Sequence, residues 1–297
     1  MIGSYQGELC ARLMIQSLRS FGGSLSESPV WILLRNRYKP ELSEFHGRSG
    51  DLGEVHLTPL VTEEPYKNYF LVDKVFACAQ AEEVLHDEDF TLTWISPDSL
   101  VIKPPLLFDL NDDIRASFRP VHIRNIGSLL TDPVDCYWKK IYEIIGVNEI
   151  SFSVESFVDQ EEIRPYFNTH AFSIDPSLWI CQRWLEFFKE LVSDSRFQAE
   201  NCSDELHKIF LHQAVLSALV TKELGSSRIR VLPADYSYPL HLNEEVQINH
   251  RPRFLNDLTH LVYEEVSPHP VHLKNIEVLE PLRSWLIARV PSDLGSS

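Results

Sequence analysis

Two hydrophobic periods alternate along the chain, one typical of amphipathic helices and one typical of buried strands. Apolar residues at helical spacing, with capping and stop signals at the ends, predict helices over residues 8–21, 66–86, 132–146, 177–192 and 203–225. Short apolar runs predict strands over residues 29–34, 55–60, 91–95, 112–118, 169–174 and 228–233. Strands and helices therefore follow one another from residue 8 to about residue 235.

This order of elements predicts an α/β fold, with a mostly parallel central sheet and helices on both faces. After residue 236 the pattern loosens and histidine and proline become frequent, which predicts irregular structure wrapping the sheet edge. The sequence shows no internal repeat, no low-complexity segment and no convincing linker. Residues 1–297 are therefore predicted to form a single domain.

Composition and charge narrow the class of protein. With 297 residues and 44% apolar side chains, the chain can build a sizeable core. Its formal charge of −16 repels phosphate backbones and anionic membranes, so we expect no nucleic-acid partner, although a local basic pocket stays possible. No run approaches the ~20 apolar residues that span a bilayer. The first residues lack the pattern of a secretory signal, and the five scattered cysteines suit reduced thiols, so we expect a cytoplasmic protein.

The stretch TLTWISPDSLVIKPP, residues 91–105, carries the main candidate for chemistry, because its apolar run stops at Ser96-Pro97-Asp98 and then resumes. Ligands of open α/β sheets bind beyond the carboxyl ends of the strands, where Asp98 is predicted to lie. Two carboxylates spaced i and i+2 at such a bend can hold a divalent ion, but Ser96 occupies the first of these positions. The simpler interpretation is that Asp98 only forms a turn beside Pro97.

Several segments in the same order resemble glycosyltransferases of the A-type (GT-A), nucleotide-diphospho-sugar transferase fold. The segments are SLRSFGG with PVWILL, TWISPDSLVIKPP, PYFNTHAFSIDPSLW, FLHQAVLSAL and VLPADYSYPLHL. Each is weak alone, and their order and spacing make the resemblance more specific. It implies transfer of a sugar from a nucleotide-diphosphate donor to an unknown acceptor hydroxyl, with Mn²⁺ or Mg²⁺ as the candidate metal cofactor.

The resemblance also implies roles for particular residues. Trp94 and Asp98 would flank the diphosphate, and Lys74 would reach the nucleotide or its phosphates. The donor-sugar pocket and catalytic centre would be lined by Asn168, His170 and Gln213. His260 more distantly resembles a late histidine that some members use as a metal ligand, so Asp98 and His260 are the candidate ligands if a metal is used.

The sequence departs from the family pattern at four places. Ser96 replaces an acidic residue, His170 replaces a glycine, and His212 replaces an aspartate. Where the family has an opening strand, IGSYQ at residues 2–6 is either its remnant or an incomplete beginning. These departures put metal dependence and activity in question.

A metal-free site would need cationic side chains. FRPVHIRN, residues 118–125, offers Arg119, His122 and Arg124, and strand alternation predicts His122 and Arg124 on one side. We interpret this group as a hypothetical phosphate-binding patch, since arginine bonds two phosphate oxygens at once. Alternatively, these residues only form surface pairs with Asp112 and Asp113.

Two other functions stay open at this point. The chain could be a catalytically inactive sugar- or nucleotide-binding member of the same fold. It could also be a metal-dependent hydrolase that uses the histidine-rich tail, where HPVH at residues 269–272 places two histidines three apart. The prolines at 268 and 270 argue against a helix beneath that pair.

Overall fold

The structure is a computed structural model that describes residues 3–35, 52–87, 90–264, 266–292 and 294. Its helices are α1 (Tyr5–Phe21), α2 (Val72–Leu85), α3 (Cys136–Ile145), α4 (Ile180–Ser193), α5 (Ser195–Asn201), α6 (Glu205–Leu224) and α7 (Leu282–Arg289). Its strands are β1 (Val30–Leu34), β2 (Val55–Pro59), β3 (Leu92–Ile95), β4 (Ser99–Val101), β5 (Ala116–Pro120), β6 (Val154–Glu155), β7 (Glu162–Ile163), β8 (Phe167–Ile174), β9 (Ile229–Val231), β10 (Tyr238–Pro239) and β11 (His260–Val262). The predicted alternation of strands and helices is confirmed.

Local capping explains where several helices begin and end. The Asp204 side chain accepts the N–H of His207 at the start of α6, and Gly146 takes a left-handed φ of 79° after α3. At the first helix, Ser4 is the N-cap and Tyr5 is already helical, so the described part of IGSYQ is not a strand remnant, and Ile2 lies outside the described residues.

Two predictions, one about a helix and one about the tail, were wrong in detail. The helix predicted from residue 66 begins at Val72, because Leu71 has a φ of 53°, a left-handed backbone that an α-helix does not pass through. The tail after residue 236 is less irregular than predicted, since it contains α7 and the strands β10 and β11.

The prediction of a mostly parallel sheet was also wrong, since the strands form mixed sheets. A four-stranded sheet has the order β3-β8-β5-β9, with β5 antiparallel to β8 and parallel to β9. A three-stranded sheet has the order β10-β11-β4, with β11 parallel to β10 and antiparallel to β4. An apolar run shows that both faces of a strand are covered, but it does not reveal the direction of the neighbouring strand.

The chain divides into two compact units. Unit 1 comprises Met1–Pro59, Ile95–Leu106 and Pro233–Ser297, and unit 2 comprises Leu60–Trp94 and Leu107–Leu232. The single domain over residues 1–297 stays a prediction. Among the described residues, no helix is long and apolar enough to cross a membrane.

Unit 1 is built around α1 and two of the sheets. Met14 and Ile15 of α1 pack with Ile32 of β1 and with Leu52 in one buried cluster. Ser17 of α1 accepts a hydrogen bond from the backbone N–H of Val101 in β4, with an N–O distance of 2.9 Å. That bond ties the first helix to the three-stranded sheet.

Unit 2 contains the four-stranded sheet, and α6 packs against β8 and α4 within it. Its core is aromatic, with Trp138, Trp184, Phe118 and Phe172 fully buried. The Phe118 and Phe172 rings stack across β5 and β8 with centroids 5.2 Å apart. This rigid core supports strand β8, which carries the candidate site.

Candidate functional site

Strand β8 lies inside the four-stranded sheet of unit 2, between β3 and β5. Its first half places Asn168, Thr169 and His170 in succession. Asn168 and Thr169 are buried. Because buried polar groups must be hydrogen-bonded, these side chains require partners from the neighbouring elements.

Lys74 of α2 brings a cation to this strand. Its Nζ donates to the backbone oxygen of Thr169 at 3.2 Å and to Thr169 Oγ1 at 3.3 Å. The same ammonium lies 5.8 Å from the centroid of the Trp94 ring on β3. The lysine is only 8% exposed, and a cation over an aromatic face is stabilised by the ring quadrupole.

Helix α6 supplies two further side chains to Thr169. Thr169 Oγ1 lies 3.0 Å from His212 Nε2 and 3.4 Å from Gln213 Oε1. Burial, with the nearby charge of Lys74, holds the pKa of His212 well below its usual value. His212 is therefore a neutral imidazole at neutral pH, and it is not a reservoir of positive charge.

Asn168 contacts the ring of His122 and the backbone of His170. Its Oδ1 accepts the backbone N–H of His170 at 2.7 Å, and its Nδ2 lies 3.4 Å from His122 Nε2. The His122 and His170 rings are almost parallel, with centroids 6.0 Å apart. The amide thus links the segment after β5 to β8.

The predicted basic patch is only partly assembled. The alternation argument for His122 and Arg124 requires a strand that continues past residue 118 to residue 124. Strand β5 ends at Pro120, since proline has no N–H to donate to the ladder, so that argument was wrong. Arg124 instead pairs with Glu161, with an Nε–Oε2 distance of 2.6 Å. Arg119 is buried, with its guanidinium carbon 4.7 Å from the centroid of the Phe157 ring.

Asp98 and His260 both belong to unit 1. Asp98 lies in the turn before β4, where its backbone oxygen accepts the N–H of Tyr263 at 3.0 Å. The β4–β11 register places His260 opposite Val101. His260 is fully buried, with its Nδ1 3.3 Å from Ser237 Oγ. The roles implied for these two residues stay predictions.

The grouping of possible ligand side chains decides whether the chain itself could hold a metal ion. Within the described ranges, no three His, Cys, Asp or Glu side chains are grouped so that they could bind one. Ser96 contributes its backbone oxygen to the Ser99 hydroxyl at 2.5 Å, and a serine is in any case a weak neutral ligand. The described residues therefore do not fit a metal held by protein ligands alone.

The histidines of the tail have local partners. The ring of His269 accepts the N–H of Val271 at 3.3 Å, and His272 Nε2 lies 2.5 Å from the backbone oxygen of Ser292. The two ring centroids are 6.2 Å apart. Since no third ligand joins them among the described residues, the structure offers no support for the zinc hydrolase hypothesis.

The structure thus brings together most of the predicted site residues of unit 2. Those around β8 and β5 are Lys74, Trp94, Arg119, His122, Asn168, His170 and Gln213. Sequence reasoning missed Thr169, although it contacts the side chains of Lys74, His212 and Gln213. Its position between two predicted site residues on one strand was the available signal.

Comparisons with known proteins agree with this architecture. Residues 3–225 match the family model described as the Rhodobacterales glycosyltransferase domain. The fold is similar to that of the bifunctional glycosyltransferase WbbM, with a TM-score of 0.54 at 10% identity; the match covers 97% of this chain and 50% of that one. The chain therefore spans half the length of the WbbM chain.

Two further solved structures show weaker similarity. The glycosyltransferase GlyE of Streptococcus pneumoniae has a TM-score of 0.48 at 13% identity, with 96% of this chain and 58% of that chain covered. Mouse xyloside xylosyltransferase 1 has a TM-score of 0.45 at 12% identity, with 80% and 85% covered. No curated protein matches the sequence. At 10% identity, the likeness to WbbM shows a similar fold and nothing more.

Proposed function

Because the chain belongs to the Rhodobacterales glycosyltransferase domain family, we propose that it transfers a sugar from a nucleotide-diphosphate donor to an acceptor hydroxyl. The observation that carries this proposal is the family match over residues 3–225, which includes the whole polar cluster around β8. The detailed assignment to the A-type fold is part of the same proposal, and the acceptor is left open.

The reaction breaks the bond between the anomeric carbon and the phosphate oxygen. The acceptor oxygen forms the new bond to that carbon and loses its proton, and the nucleoside diphosphate leaves with the bonding electrons. Positive charge placed where the leaving phosphate gains charge lowers the barrier to this step. The proposal therefore needs a cation at the diphosphate.

Lys74 is the cation that we assign to the diphosphate. Its ammonium is held by two oxygens of Thr169 and by the Trp94 ring, so it has little freedom to move. A cation that is already positioned loses little entropy when it meets a phosphate. Arg119 on the neighbouring strand β5 is a second candidate for the same role.

The remaining polar side chains of the cluster suit the donor sugar. Gln213 and Asn168 carry amides that both donate and accept, which matches the hydroxyl groups of a sugar. We assign His122 and His170 to the same pocket, as neighbours of Asn168.

Titration calorimetry tests the proposal directly. UDP and GDP would be titrated into the protein, with and without Mn²⁺ or Mg²⁺. We expect one nucleoside diphosphate to bind, and we expect binding to persist when EDTA replaces the metal ion. If none binds at millimolar concentration under any of these conditions, the proposal is wrong.

One observation favours a second candidate, an inactive sugar- or nucleotide-binding protein of the same family. The described residues do not group three metal-ligating side chains, and Ser96 stands where the family pattern has an acid. The two candidates differ in turnover. Release of free sugar or of glycosylated product from a bound donor identifies the enzyme, whereas donor binding without any turnover identifies the inactive protein.

A further inference from the structure

The position of one proton in the cluster follows from geometry. His212 Nδ1 lies 2.8 Å from the backbone oxygen of Ile209. A carbonyl oxygen can only accept a hydrogen bond, so Nδ1 carries a hydrogen. The indole N–H of Trp184 donates to the backbone oxygen of His212 at 2.7 Å. This bond holds the backbone of His212 in the core.

The other ring nitrogen is an acceptor. His212 is 1% exposed, and its surroundings include the cation Lys74, so the neutral ring is favoured. A neutral ring with its hydrogen on Nδ1 has a lone pair on Nε2. The Thr169 hydroxyl, 3.0 Å away, therefore donates its only hydrogen to His212.

The oxygen of Thr169 is left as an acceptor. Lys74 Nζ, at 3.3 Å, donates to it. The Gln213 oxygen faces the same hydroxyl at 3.4 Å and is its more distant acceptor. The NH₂ group of Gln213 lies on the side of the fully buried Tyr166.

We propose that His212 is a positioning residue, which takes the hydrogen of Thr169 and so directs the Thr169 oxygen toward Lys74. His212 itself need not touch the substrate. This inference rests on the proposed function only in its consequence, which is that a nucleoside diphosphate meets a fixed lysine. The hydrogen-bond directions hold without any donor.

The first test uses the unmodified protein without ligand. Two-dimensional ¹⁵N NMR of the imidazoles distinguishes the three forms of a histidine ring. We expect His212 to show the neutral form with hydrogen on Nδ1 at pH 7. A charged ring, or a neutral ring with hydrogen on Nε2, overturns the inference.

The second test measures how fast the Lys74 ammonium protons exchange with water. We expect His212→Leu to speed this exchange about tenfold, because the Thr169 hydroxyl loses a hydrogen-bond partner. In a Thr169→Val background, His212→Leu should have no further effect, because the two residues act in series. Equal effects of His212→Leu in both backgrounds would contradict the proposed positioning role of His212.

Two matched variants separate positioning from simple packing. His212→Gln keeps an acceptor for the Thr169 hydroxyl and should restore most of the slow exchange, and Thr169→Ser keeps the hydroxyl and should behave like the unmodified chain. Titration with UDP then addresses the function. If exchange follows this pattern but UDP and GDP do not bind, the positioning role of His212 is supported and the proposed function is wrong. If UDP binds but His212→Leu leaves exchange unchanged, only the positioning role is wrong.

Discussion

At the scale of single residues, the buried Lys74 has the most direct consequences. Burial of an ammonium is costly unless oxygens or aromatic faces replace its lost water. Thr169 and Trp94 supply such replacements. An ammonium at this position can meet an anionic ligand, as proposed above, whereas a methionine would fill the same space without a charge.

Replacing Lys74 by methionine tests this argument. Lys74→Met keeps the length of the side chain and removes the charge, so we expect at least a tenfold weaker affinity for the nucleoside diphosphate, as the loss of a charge-assisted hydrogen bond implies. Titration calorimetry measures it. Lys67→Met is the matched control, because Lys67 pairs with Glu64 at the surface. Unchanged affinity in Lys74→Met would refute the assignment.

The sequence predicted several members of the site but not how they connect. Asn168 and Gln213 could be named from their segments, and the structure links both to the same part of β8. Arg124 could not be placed, because its partner Glu161 is 37 positions away in the sequence. Contacts between distant segments depend on strand pairing, which a single sequence does not determine.

At the scale of elements, Ser217 joins β8 to α6. Its Oγ accepts the backbone N–H of Phe167 at 2.9 Å and donates to the backbone oxygen of Gln213 at 2.7 Å. One hydroxyl group thus bonds to both the helix and the strand that carry the site. Both contacts are buried.

Ser217→Ala should therefore lower the free energy of unfolding. The Phe167 N–H would be left buried without an acceptor, which costs about 1–3 kcal/mol. Urea unfolding measures the change, and Ser226→Ala, at an exposed position just after α6, is the control that should change stability little. A loss no larger than that of the control would show that the contact contributes nothing.

Glu82 of α2 connects to the start of α4. It is fully buried, and its two oxygens accept the N–H groups of Cys181 and Gln182 at 2.9 and 2.8 Å. Burial raises the pKa of Glu82 from 4.5 to about 7, although the backbone donors act in the opposite direction. Between pH 4.5 and about pH 7, the folded protein thus keeps a proton on Glu82 that the unfolded chain has released.

This shift predicts a pH-dependent stability. The contribution of Glu82 is complete below its unfolded pKa and is lost as pH rises to about 7. Relative to Glu82→Gln, the unmodified protein should lose roughly 3 kcal/mol of unfolding free energy between pH 4.5 and pH 8. Urea unfolding at several pH values checks this, with the exposed Glu83→Gln as control. Parallel curves for the unmodified chain and Glu82→Gln would disprove it.

The elements themselves were largely predictable, whereas their pairing was not. The glycine at 146 is such a local signal, and the predicted end of that helix is confirmed. The left-handed backbone at Leu71 has no such signal, since leucine rarely takes it. The antiparallel pairing of β5 with β8 is a long-range feature that the apolar pattern leaves undetermined.

At the scale of the whole molecule, the net charge of −16 governs encounters with other polyanions. We expect no measurable binding to duplex DNA or RNA even at low salt, because like charges repel over the long Debye length. Fluorescence anisotropy with a labelled duplex at 20 mM salt tests this. Binding that weakens steeply as salt is added would reveal a basic surface and contradict the expectation.

Unit 1 is assembled from three separate stretches of chain, and Ser99 of β4 pairs with Val262 of β11. On the ribosome, β4 emerges long before β11 has been translated. The hydrogen-bonding edge of β4 therefore stays unpaired while the remainder of unit 2 is synthesised. During that interval an unpaired strand edge can pair with non-native strands. We therefore expect the pairing of β4 with β11 to form only after residues 260–262 have been translated.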